Sequence, residues 1–198
     1  MMGVRTKSKS NEKDVLSLKS AKEWEAWLKV NHARSNGVWL QIQKKDSSEK
    51  SPSYAEALDV ALCYGWIDGQ KNRHDENSWL QMFTPRRPRS SWSKKNTEHA
   101  QRLIQAGKMK SAGLTEIDAA KKDGRWKAAY DSPSNASIPE DFLKALKQNK
   151  KAEAFFKLLN KTNLYSIAYR LQTAKTPQTR EKCMKTILEM LAKGEKFH

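Results

Sequence analysis

A chain of 198 residues is long enough for one buried core or a core with an appendage, and its seven Trp, five Tyr and five Phe supply the large apolar surfaces such a core needs. Charged residues make up 30% of the chain, and no apolar run approaches the roughly 20 residues of a membrane helix, which excludes a helical membrane-spanning protein. The net charge of +16 disfavours cationic partners and points to anionic ones: nucleic acid, lipid headgroups or phosphorylated metabolites.

The opening MMGVRTKSKSNEKD is polar and basic, without the apolar stretch of a secretory signal, which predicts a cytoplasmic protein. Residues 1–19 read as a mobile basic tail, with ordered structure expected from Ser20. Ser20 and Glu23 have capping-box spacing, and Trp24, Trp27 and Leu28 fall on one face of the helix they open, which ends near His32. From Gly37 to Lys44, Val38, Leu40 and Ile42 alternate with Trp39, Gln41 and Gln43, the period of a strand covered on one face. Ser53 and Glu56 repeat the capping box for a helix through Cys63, with Gly65 as a left-handed exit. A second strand from Trp66 and a third from Trp79 to Thr84 pair across the polar turn His74 to Asn77.

The pattern then turns helical. Ser93 caps a helix stopped by Gly107, and a second helix runs from Ser111 to Asp123 ahead of Gly124. The run Asp131 to Ala136 is rich in turn formers and reads as a linker. Beyond it, Ser137 and Glu140 have capping-box spacing before Phe142, Leu143 and Leu146. Further helices are expected over Lys151–Asn160, Asn163–Ala174 and Pro177–Lys193, the last with Thr176 as cap and Gly194 past its end. The fold class is therefore α+β: a small mixed three-stranded sheet covered by helices, followed by an all-helical C-terminal region. The division is a tail over 1–19, an α+β region over 20–130, a linker over 131–137 and a helical region over 138–198.

Two stretches carry candidate chemistry. In Leu62 to Gln70, Asp68 sits among Tyr64 and Trp66, where desolvation would raise a carboxyl pKa and a neighbouring arginine would lower it; it is an acid/base candidate or a group that satisfies turn amides. Tyr64, Trp66, Asp68 and Trp92 are the residues expected around a pocket, with core packing as the alternative for the aromatics. From Asn77 to Thr97 there is no acidic residue, whereas Arg86, Arg87, Arg89, Lys94 and Lys95 are all basic. Pro85 and Pro88 stiffen that loop, and Ser93 begins a helix whose amides join the arginine forks in a candidate anion site. The alternative is that the arginines pair with acids such as Asp68, Asp75 or Glu76 and fasten the loop to the sheet. Cys63 and Cys183 are distant and lack zinc-finger spacing, so neither a disulfide framework, a metal site nor a cofactor is indicated.

The motifs LCYGWIDG (Leu62–Gly69), FTPRRPRSSWSKKN (Phe83–Asn96), LIQAGKMKSAGL (Leu103–Leu114), DGRW (Asp123–Trp126) and AKTPQTREK (Ala174–Lys182) together make the chain, from Trp24 onward, resemble the YdeI/OmpD-associated family, also labelled bacteriocin-protection proteins. The resemblance implies a bacterial protein linked by name to protection from antimicrobial peptides and to the cell envelope, without catalytic residues or cofactor. The expectation that follows is a stress-associated binding protein, not an enzyme, that recognises an anionic partner through Arg86, Arg87, Arg89, Ser93, Lys94 and Lys95. The alternatives are an enzyme acting on a small anionic metabolite with Asp68 as acid or base, and a nucleic-acid-binding protein whose exposed aromatics stack on bases.

Overall fold

A computed structural model describes residues 13–197, in which eight helices accompany a four-stranded mixed sheet. The strands are β1 (Val15–Leu16), β2 (Val38–Gln43), β3 (Trp66–Arg73) and β4 (Ser78–Pro85), in the order β1-β2-β4-β3. The helices are α1 (Ala21–Asn31), α2 (Tyr54–Cys63), α3 (Lys94–Gln105), α4 (Ser111–Lys122), α5 (Glu140–Lys147), α6 (Lys150–Phe156), α7 (Lys161–Gln172) and α8 (Pro177–Ala192). No helix among the described residues is long and apolar enough to cross a membrane. The α+β class holds, but the sheet has four strands where the sequence predicts three.

The additional strand is β1, which pairs parallel to β2 with Val15 opposite Trp39 and Leu16 opposite Leu40. It lies within the stretch read as basic tail, so order begins before Ser20; residues 1–12 of that tail lie outside the described residues. Two residues carry no alternation, and their extended form comes from hydrogen bonding to β2, as in the Trp39 amide donating to the Asp14 carbonyl at 2.9 Å.

The chain forms two compact units. The first runs to Arg87 and includes Ala106–Thr115. Its sheet follows the predicted alternation: Val38, Leu40 and Ile42 are buried while Trp39, Gln41 and Gln43 are half-buried. β2 and β3 both pair antiparallel to β4, and the β3–β4 ladder is irregular between Asp68 and Lys71. The cap at Ser53 is a complete box, its hydroxyl accepting from the Glu56 amide while the Glu56 carboxylate accepts from the Ser53 amide. At Ser20 the hydroxyl accepts from Glu23, whose carboxylate turns instead to the Lys19 amide. The core is aromatic: Trp24 stacks on Trp27 with centroids 5.4 Å apart, meets Trp66 edge-on at 6.3 Å and leans on Phe83 at 5.5 Å. Burial does not strand the indole N–H groups of Trp24 and Trp66, which donate to the Ala57 and His32 carbonyls respectively, each at 3.1 Å.

The second unit comprises Pro88–Gln105 and the chain from Glu116. Its C-terminal core gathers Phe142, Leu146, Ala152, Ile167, Leu171, Ile187 and Leu191 from α5 to α8. Here the third predicted capping box fails: Pro139 occupies the N-cap of α5 without a side-chain cap. A proline disfavours helical geometry in the residue before it, so no helix starts across Ile138 and Ser137 is left upstream. The expected limits of the next two helices shift as well. Asn149 caps α6 and Asn160 caps α7, each accepting from an amide three residues on, so a residue read as the end of one helix begins the next. Thr176 and Pro177 open α8 as predicted.

Candidate functional site

The basic loop starts in the first unit, where β4 ends. Arg86 is 6% exposed, and its amide donates to the Gly65 carbonyl at 3.0 Å, so this residue serves the interior as well as carrying charge. Arg87 is exposed.

The rest of the loop belongs to the second unit. Arg89 is exposed at the end of a tight turn with φ of +63°, a left-handed conformation that costs a side-chain-bearing residue about 1–2 kcal/mol. The strain is held by Arg125, the arginine of DGRW. Only 4% exposed, Arg125 donates from Nε to both carboxylate oxygens of Asp123, at 2.8 and 2.7 Å, and from an Nη to the Ser90 carbonyl at 3.0 Å. That guanidinium holds the Asp123 carboxyl below the usual carboxylate range. Beside it, the buried Trp92 ring leans on Trp126 with centroids 5.0 Å apart. The backbone is fastened twice more, by the Tyr130 amide on the Trp92 carbonyl at 3.0 Å and the Lys94 amide on the Tyr130 carbonyl at 2.8 Å.

The helix that follows is less open than a bare N-terminus. The Ser93 hydroxyl accepts from the Asn96 amide at 3.2 Å and its carbonyl accepts from the Thr97 amide, so these donors and that of Lys94 are spent. The Lys94 ammonium lies 2.9 Å from Asp131, whose carboxylate also accepts from Gln172 at 3.0 Å. Lys94 is thus neutralised within the fold. Arg89 and Lys95 are exposed and have no ion-pair partner among the described residues.

Asp68 accepts a 2.7 Å hydrogen bond from the Tyr54 hydroxyl at the start of α2. Burial, followed by that hydrogen bond to the carboxylate, pushes the Tyr54 phenol well above its ordinary range and keeps it a donor. Tyr64 lines an open groove with His32, whereas Trp66 is interior at 0% exposure and Trp92 at 1%. Neither of these indoles presents a face on which a base could stack. His74 and Asp75 are exposed at the hairpin tip, where Asp75 accepts from the Asn77 amide and the Ser78 hydroxyl, each at 2.7 Å, in an Asx turn. Burial pushes the Cys63 thiol up to about 11, so it stays protonated at neutral pH. No three His, Cys, Asp or Glu side chains among the described residues converge as metal ligands.

Sequence reasoning missed Arg125 as the clasp of the loop. The DGRW motif marks it, but its partner Ser90 lies 35 positions away and spacing does not connect them.

Comparison with family models finds two matches. A model described as a domain of unknown function (DUF8412) matches residues 16–116, just over half of the chain, and one described as Bacteriocin-protection, YdeI or OmpD-Associated matches residues 135–194. No curated protein and no solved structure matches the chain.

Proposed function

Since the chain belongs to the DUF8412 family through residues 16–116, and its residues 135–194 match the model described as Bacteriocin-protection, YdeI or OmpD-Associated, we propose that it is a bacterial envelope-protection or stress-associated binding protein that recognises an anionic partner, acting in the cytoplasm. The protective role rests on the second family's description. Recognition of an anion rests on one observation: Arg89 on the clasped loop and Lys95 in the first turn of α3 are exposed without a neutralising carboxylate among the described residues.

The physical argument is one of cost. A cation already paired inside the fold must give up that partner to bind another, so Lys94 contributes little, whereas Arg89 and Lys95 can meet an anion without such an exchange. The clasp lowers the ordering cost of binding, because the loop backbone is held before the partner arrives. A polyanion engaging both residues is expected to bind with a log–log salt slope that becomes shallower by roughly 1.4–1.8 when both are removed, at about 0.7–0.9 per neutralised phosphate. The test is a salt titration with polyphosphate and with phosphatidylglycerol vesicles, comparing the native chain with the Arg89→Gly/Lys95→Ala variant. Glycine suits the left-handed position, so that variant keeps the backbone and deletes the charge. An unchanged slope and affinity for both probes would reject the site.

A further inference from the structure

The first unit carries a second cationic surface that the loop does not use. Lys22, Glu25, Ala26 and Lys29 lie along one side of α1, and together with His32, Tyr64 and Lys110 they line an open groove of about 470 Å³. That volume falls within the range of small-molecule sites, roughly 300–1,000 Å³.

The groove has a built floor. Tyr64 is only 7% exposed, and its hydroxyl has no hydrogen-bond partner among the described residues although the residue lines the groove. Burial and the nearby Glu25 carboxylate push this phenol above its ordinary range, so it remains an O–H donor at neutral pH. The hydroxyl itself stays open to solvent at the groove, so it can give its proton to an acceptor that enters there without breaking a bond within the fold. Beside it the His32 ring lies 5.3 Å from the Tyr64 ring. Its Nδ1 faces the Leu28 carbonyl at 2.9 Å and must donate there, which leaves Nε2 unpartnered among the described residues.

The opposite wall explains the motif LIQAGKMKSAGL. A Cβ added to Gly113 would stand 2.4 Å from the Met109 sulfur and 2.5 and 2.7 Å from the Cys63 and Leu62 carbonyl oxygens, so only glycine lets this backbone lie against the end of α2. That approach sets the Lys110 amide 3.2 Å from the Cys63 carbonyl and its ammonium 3.0 Å from Glu25. The Lys110–Glu25 pair is thereby neutral, while Lys22 and Lys29 are exposed with no ion-pair partner among the described residues.

From these residues we propose that the groove binds a small organic phosphate, with the Lys22 and Lys29 ammonium groups on the phosphate oxygens, the Tyr64 hydroxyl donating to it, and the organic part resting against Tyr64 and His32. Two unpaired ammonium groups match the roughly two negative charges of a phosphomonoester better than the single charge of a carboxylate, and they lack the planar fork that favours carboxylates. The groove is also larger than the anion alone requires, which leaves room for an organic substituent.

The experiment is calorimetric titration of the full chain with phenyl phosphate, inorganic phosphate and phenol. Phenyl phosphate is expected to bind most tightly. Lys22→Gln/Lys29→Gln is expected to weaken it by about tenfold or more, and Tyr64→Phe by about threefold to tenfold, each close to the worth of the hydrogen bonds removed. Lys45→Gln/Lys50→Gln makes the same charge change on an exposed loop of the same unit and should stay within about twofold. Equal weakening by both lysine pairs would reduce the effect to general charge and overturn the proposal. So would no binding of phenyl phosphate at about 10 mM, or equal binding of phenol. Inorganic phosphate binding as tightly as phenyl phosphate would overturn the organic part. The Arg89→Gly/Lys95→Ala variant should bind phenyl phosphate as the native chain does, so failure here and failure of the loop reading are separate results.

Discussion

The two units each offer exposed cations, and they hold them by different means. In the first, Lys22 and Lys29 stand on a helix whose Trp24 and Trp27 pack against Trp66 of β3, and the facing wall is set by glycine and backbone contact at Gly113. In the second, the loop around Arg89 is held by charge, through Arg125 on Asp123 and Ser90 and through Lys94 on Asp131. A surface organised by close packing responds to volume, whereas one organised by ion pairs responds to charge and pH.

The largest effect is expected at the clasp. Arg125→Met keeps much of the buried stem but removes the donors to Asp123 and to the Ser90 carbonyl, and should cost about 2–3 kcal/mol in urea unfolding. With the left-handed Arg89 no longer held, hydrogen exchange at the amides of residues 89–93 should quicken and polyanion affinity should fall. Retained protection there would show that Trp92 on Trp126 is sufficient and that the charge-based description of this unit is wrong.

A volume change tests the first unit. Gly113→Ala introduces a methyl where a sulfur and two carbonyl oxygens already stand, for an expected loss of about 1–3 kcal/mol. Phenyl phosphate affinity should drop with the displacement of Lys110, while the salt slope for polyphosphate stays the same. A stable variant with native phenyl phosphate binding would mean that the wall does not define the groove.

The smallest effect concerns pH. Arg180 donates to both oxygens of Asp141, linking α8 to α5, and holds that carboxyl below the usual carboxylate range. The folded chain therefore binds this proton less readily than the unfolded chain. The contribution is complete above the ordinary aspartate value of about 3.9 and is lost as pH falls through the lower folded value. Because the pair is well exposed, solvent screening limits it to about 0.5–1 kcal/mol. Asp141→Asn should lower stability at pH 7 by about that amount and flatten the profile below about pH 4, where the native chain loses the same contribution. An unaltered acid profile would assign the loss to other carboxylates, such as Glu56 in its capping box or Asp123 beneath Arg125.

Elements governed by neighbours in sequence could be read directly. The alternation through Val38, Leu40 and Ile42, the box at Ser53 and Glu56, the hairpin tip at His74 to Asn77 and the start of α8 at Thr176 all depend on contacts a few residues apart. The exceptions also have local or tertiary reasons. Pro139 cancels a capping signal through its effect on Ile138, and β1 exists because β2 offers a free edge to two otherwise unmarked residues.

Composition and local pattern thus determine the charge, the helices, three of the strands and the presence of a basic stretch after Phe83. They do not determine which cations remain available. That depends on Asp131 reaching Lys94, on Arg125 reaching Ser90 and on Glu25 reaching Lys110, contacts that span 35 to 85 positions and form only when the backbone has folded. Charge is a property of the residue, but its neutralisation is a property of the distance to a partner, and that distance is set in space.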